Sequence, residues 1–151
     1  MFAPTHCVLG RLDPVELAWA AGFFDGEGST IVQADARRPG YRRLVVSVPQ
    51  SSRGGVPYAL VRLQRAMLGL GSIEGPDETR MYVWRAFGLH EAQAVLALIW
   101  TELGAVKRLQ AARALNAVSD QYRYRMYAAR PPKSGRLVAH SNHATFATPT
   151  I

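Results

Sequence analysis

The 151-residue chain has a single cysteine, Cys7, so no internal disulfide framework can brace it. It has only two lysines, Lys107 and Lys133, and arginine therefore carries most of its positive charge. No apolar run approaches the roughly 20 residues that a bilayer-spanning helix requires. The opening stretch MFAPTHCVLG lacks both a basic n-region and a sustained apolar h-region. The expected setting is intracellular, a bacterial cytoplasm or an organelle, with no secretion and no membrane partner. Acid is also missing between Asp35 and Glu74, an interval that holds Arg37, Arg38, Arg42, Arg43, Arg53, Arg62 and Arg65. A second basic region, Lys107 to Arg136, contains Asp120 as its only acid. A net charge of +7 arranged in this way favours a polyanionic partner such as nucleic acid. A merely solvated basic surface is the plainer alternative.

Apolar residues make up 48% of the chain, enough for one domain with a real core, and the length is too short for two ordinary domains. The expected division is an arm over 1–12, a domain over 13–127 and a tail over 128–151. LDPVELAWAAGFF begins with a helix-start signal: Asp13 can cap, Pro14 suits the first turn and Glu16 completes a capping-box-like pattern. That helix is expected to end near Asp25, with Gly26 and Gly28 taking conformations that other residues resist. STIVQADA and YRRLVVSVPQ alternate around RRPG, which reads as a hairpin. GVPYALVRLQRAMLGL has a helical period through Leu60, Val61, Leu63, Met67 and Leu68, closed by Gly69. GSIEG and RMYVWRAF form a second hairpin around Pro76 and Asp77, followed by helices in LHEAQAVLALIWTEL and VKRLQAARALNAVSD. The order predicts an α+β chain with one antiparallel sheet.

The first helix holds the unusual chemistry. Ala18, Ala21, Gly22, Asp25 and Gly26 recur at helical spacing, a small-residue stripe that suits close packing of two helices. The stripe fits either tight packing within the chain or self-association at Gly22 and Gly26 about a two-fold axis. Trp19 and Phe23 fall on another face and are expected to enter the core. Asp25 and Glu27 stand at the negative end of the helix dipole, where acids are disfavoured. A divalent cation is one natural compensation, since Mg²⁺ takes one or two carboxylates plus water and phosphate oxygens. An EF-hand starting at Asp25 fails, because it would need Gly at Thr30 and Glu at Ala36. A phosphate-cradling glycine loop fails too, because a strand follows rather than a helix with its Lys. His140 and His143 lack the further ligands of a zinc site.

AAGFFDGEG, Ala20 to Gly28, resembles the LAGLIDADG motif, and GFFDGEGS is a form typical of that homing endonuclease family. The downstream order of elements matches over roughly Pro14 to Asp120. The resemblance implies an αββαββα fold with a curved antiparallel four-stranded sheet, followed here by a further C-terminal helix. It implies a Mg²⁺-dependent, intron-encoded type of endonuclease that hydrolyses double-stranded DNA at a long pseudo-palindromic site. Mn²⁺ or Ca²⁺ can substitute in binding. One motif per chain implies a homodimer joined through the motif helices at Ala18, Ala21, Gly22, Asp25 and Gly26.

By the same resemblance Glu27 is the metal ligand, with the Gly26 carbonyl near the metals, while Asp25 orients the helix end. The family's usual Asp at the metal position is Glu in this chain. Gln50 corresponds to the polar residue that helps order the hydrolytic water, Arg53 to a basic residue just beyond it, and Lys107 to the site's lysine. The sheet face with Gln33, Asp35, Tyr41, Arg43 and Ser47 would meet DNA. Arginine can pair with guanine, Gln33 with adenine, and Asp35 with cytosine. Arg80 and Arg85 are expected on opposite faces, with Arg85 in register to read bases. Arg37, Arg38 and Arg42 at the hairpin tip would hold phosphates. The rival within the family is a non-cleaving relative, either a maturase that binds intron RNA or a DNA-binding regulator. A generic basic RNA-binding domain would leave the small-residue stripe and the acids unexplained.

Overall fold

A computed structural model of the chain describes residues 12–128, with side chains as far as Gln121. The expected arm before Leu12 and the tail beyond Ala128, with His140 and His143, lie outside the described residues. The elements follow in the order α1 (Pro14–Glu27), β1 (Ser29–Ala34), β2 (Arg42–Ser51), α2 (Tyr58–Ala66), β3 (Ser72–Glu74), β4 (Met81–Phe87), α3 (Gly88–Ile99) and α4 (Ala105–Ala128). The four strands make one antiparallel sheet in the order β1-β2-β4-β3. This is the α+β architecture expected from the sequence.

Register explains which residues form the core. Leu44, Val46 and Val48 of β2 lie on the same face as Trp84 and Ala86 of β4, because Val46 pairs with Ala86 and Val48 with Trp84. All five are buried and pack with Phe24, Leu60, Leu63, Val95, Leu96, Ile99, Ala111 and Val118 from the helices and with Met67 just after α2. The Trp84 indole Nε1 donates to the Leu70 carbonyl at 3.1 Å, which satisfies its polar atom within the core.

The start of α1 is as the sequence predicts, with Asp13 Oδ1 accepting from the backbone of Val15 at 2.9 Å and of Glu16 at 3.5 Å. Glu16 does not close a capping box. Its two carboxylate oxygens take Arg62 of α2, at 2.8 and 2.9 Å, and Arg62 lies 4.0 Å over the Trp19 ring. Trp19 stacks on Phe23 at 5.3 Å, and both are half-buried against the core.

The end of α1 differs from expectation in two ways. The helix runs two residues past Asp25, to Glu27, and Gly28 has a φ of −82°, which any residue can adopt. Gly28 is required for space, because a Cβ there would stand 2.2 Å from the Phe24 ring. Ala21 is also misplaced by the stripe reading: it is fully buried beside Ala20 and Phe24. The outward stripe is Ala18, Gly22 and Gly26, and among the described residues nothing lies within 4 Å of where a Cβ would stand at either glycine.

Candidate acidic centre and nucleic-acid interface

The C-terminus of α1 abuts the N-terminus of α4. Asp25 Oδ2 accepts the backbone N–H of Gly104, the residue before α4, at 2.7 Å. Lys107, in the first turn of α4, donates from Nζ to the Gly28 carbonyl. The Asp25 carboxylate, which opposes the dipole of α1, therefore meets the positive end of a second helix dipole. For Asp25, part of the compensation that the sequence assigns to a cation is supplied by the chain itself. Asp25 Oδ1 is buried without a hydrogen-bond partner among the described residues.

Glu27, one residue before Gly28, is exposed and has no hydrogen-bond or ion-pair partner among the described residues. No group of three or more His, Cys, Asp or Glu side chains that could hold a metal occurs among those residues. One chain thus offers the Glu27 carboxylate and the unsatisfied carbonyls of a helix end, Gly26 among them. This oxygen-only donor set fits Mg²⁺, which completes its shell with water and phosphate rather than with a full protein cage.

Of the remaining catalytic candidates, Gln50 is half-buried near the end of β2, paired in register with Tyr82. Arg53 is exposed in the loop after β2, in a recess shared with Ser51, Ser52, Thr79 and Arg80. Among the described residues neither bonds to Glu27 or Lys107, so only Lys107 is joined directly to the end of the motif.

The sheet face opposite the core brings together Gln33, Arg43, Ser47 and Arg85 of the residues expected to meet DNA. Gln33 pairs with Arg43, Ser29 with Ser47, and Ser47 with Arg85, which sets all five on one face. Ser29 and Ser47 join through their hydroxyl oxygens at 3.1 Å. Arg85 Nη1 donates to Glu74 at 2.6 Å. Arg80 is not in a strand; it sits in the turn before β4 with a φ of +62°.

Asp35 requires a correction. It lies just beyond β1, is 8% exposed, and accepts from the Arg43 guanidinium at 2.6 and 3.1 Å and from the Arg37 backbone at 3.0 Å. Both oxygens are engaged inside the protein, so Asp35 orients Arg43 and does not present an acceptor to a cytosine. The Arg43 hydrogen bonds, then the Arg37 N–H, hold its carboxyl below the ordinary Asp pKa of 3.8.

Tyr41 stands before β2 rather than in it, with its N–H donating to the Arg38 carbonyl at 2.9 Å and Arg38 5.8 Å over its ring. Arg37, Arg38 and Arg42 are exposed around this turn. The backbone of Arg42 is fixed to α4 through Gln121 Oε1 at 2.9 Å. Sequence reasoning missed the service of Asp25 to α4. The signal available was Gly104, which precedes a new helical period.

The element order α1-β1-β2-α2-β3-β4-α3 around one four-stranded antiparallel sheet matches that of solved LAGLIDADG homing endonucleases, and this chain has that fold. Among solved structures it is similar to the homing endonuclease I-CvuI, crystallised with its target in the presence of Ca, at 24% identity and a TM-score of 0.61 over 74% of this chain and 70% of that one. I-CvuI with the I-CreI target in the presence of Mg, its DNA not cleaved, matches at 25% identity and a TM-score of 0.59 over 70% of this chain and 66% of that one. I-TnaI matches at 18% identity and 0.57, over 72% of this chain and 74% of that one. The chain spans only 37% of the LAGLIDADG enzyme I-SmaMI, crystallised bound to cleaved DNA. No protein-family model matches the chain, and no curated protein matches it significantly by sequence. Among the described residues no helix is long and apolar enough to cross a membrane.

Proposed function

We propose that the chain is a divalent-metal-dependent endonuclease that binds double-stranded DNA as a homodimer and hydrolyses both strands. The observation that carries this reading is Glu27: a carboxylate that is exposed and without a partner among the described residues, at the last position of α1 and one residue before Gly28, whose carbonyl Lys107 holds. The open arginine-lined face supports the choice of DNA, and the exposed Ala18, Gly22 and Gly26 stripe supports pairing of two copies.

Glu27 and the Gly26 carbonyl would hold the metal, which when bound activates water and neutralises charge on the scissile phosphate. Lys107 keeps the Gly28 carbonyl, and with it the motif end, in position. Its ammonium also sets positive charge near the incoming phosphate. Gln50 would order water when DNA is present, with Arg53 contributing charge. Arg37, Arg38 and Arg42 hold the backbone, and Gln33, Arg43, Ser47 and Arg85 face the bases.

The test is Glu27→Gln on a target selected from a duplex library. Cleavage is expected to fall by at least about a hundredfold, the scale on which removing one electrostatic catalytic group acts, while affinity for the target in Ca²⁺ is kept. Cleavage by the variant at the wild-type rate would remove Glu27 from the mechanism. Specific binding without any cutting by the wild-type chain in Mg²⁺ would move it to the non-cleaving regulators.

A further inference from the structure

The sheet face opposite the core is organised in transverse rows. Gln33 and Arg43 form one row, Ile31, Val45 and Phe87 the next, and Ser29, Ser47, Arg85 and Ser72 the one after. The middle row is entirely apolar, between two rows rich in hydrogen-bond donors. Ile31 is 45% exposed and Phe87 37%, while Val45 between them is 3% exposed. Large exposed apolar side chains on an open sheet normally mark either a liability or a contact surface. The arginines in both flanking rows and the net charge of +7 favour a polyanion as occupant.

Ile31 and Phe87 are two strands apart, about 10 Å at the usual strand spacing. That span fits inside a B-DNA major groove, about 12 Å wide, where the apolar group on offer is the C5-methyl of thymine. We infer that Ile31 and Phe87 read thymine methyl groups. Arg43 and Gln33 on one side, and Arg85 on the other, read purine edges. Successive rows lie about 7 Å apart along the strands, or about two base-pair steps at about 3.4 Å each. Each half-site therefore carries a thymine with guanine or adenine contacts about two steps to either side. This inference rests on the reading that this face meets DNA, and it adds which base chemistry the face selects.

Deoxyuridine differs from thymidine only by the missing methyl, so it isolates the contact. A target is selected with the full chain from a randomised duplex library in Ca²⁺, and its thymines are replaced one at a time by deoxyuridine. Replacement at one or two positions in each half-site is expected to weaken binding about 4-fold per methyl, the equivalent of one buried methylene. Replacement elsewhere is expected to be neutral. The penalty is expected to vanish in Ile31→Ala or Phe87→Ala, whose folding is checked by thermal melting. Equal affinity for deoxyuridine at every position overturns the inference and leaves the endonuclease reading intact. So does a penalty that persists unchanged in both variants, because the methyl is then read elsewhere. Selection of no duplex at all overturns both.

Discussion

At Gly28 the backbone suits any residue, yet a methyl group would enter the Phe24 ring. Gly28→Ala is expected to cost about 1–3 kcal/mol, the range for overpacking a closed site, read as a lower urea midpoint. Gly54→Ala, in a loop with nothing within 4 Å of the added methyl among the described residues, is expected to show no such loss. Asp35 makes a prediction in pH. Its carboxylate is stabilised when folded, so its contribution is complete above the ordinary Asp pKa of 3.8 and is lost as pH falls through the lower folded-state value. Chemical melts across that acid range are expected to show the loss in the wild-type chain, with this component absent in Asp35→Asn. Neither role was legible in the sequence. A glycine needed for space looks the same on paper as one needed for torsion. Asp35 and Arg43 are brought together by the closing turn, and alternation alone leaves Asp35 looking like an outward acceptor.

Among the elements, α1 shows where periodicity stops being informative. Successive residues turn by about 100°, so Ala18, Ala21 and Gly22 all fall within one broad arc. Alanine suits both the core side and the outer side of that arc, and only the placed sheet assigns Ala21 to the core. Element order was legible because hairpin turns, caps and the switch between periods 2 and 3.6 are local signals. The junction of α1 with α4 was not, because residues 25 and 104 lie 79 positions apart. Lys107 could be placed through the family resemblance and the scarcity of lysine. The outward stripe predicts that Gly22→Leu preserves helix content, since glycine is about 0.8–1.0 kcal/mol worse than alanine in a helix interior and leucine ranks close to alanine. The same variant is expected to sediment as a monomer and to lose cleavage. A dimer that survived Gly22→Leu would remove the stripe as the pairing surface.

For the whole molecule, charge and architecture act together. The arginine-rich turn lies at one end of the sheet face and the acidic helix end lies near the start of β1, so the proposed binding and cutting sites are separated in position. Affinity is expected to fall with salt as phosphate contacts are screened. Arg38→Ala should flatten the slope of log K against log salt by about 0.9 per subunit, and it should weaken all sequences alike. A slope unchanged from wild type, measured by fluorescence anisotropy across a salt series, would remove Arg38 from the phosphate contacts. The charge pattern was visible in the sequence. Its division between the exposed turn and the outer sheet face needed the register.

The buried pairing of Asp35 with Arg43 also divides the face for anyone wishing to redirect it. Gln33 and Ser47 can be exchanged one at a time, because neither holds up a buried group. Position 43 cannot, because a neutral replacement leaves the buried Asp35 carboxylate without its guanidinium. If that face reads DNA as proposed, recognition at that point is a two-letter word, and a new specificity there has to be written with both residues at once.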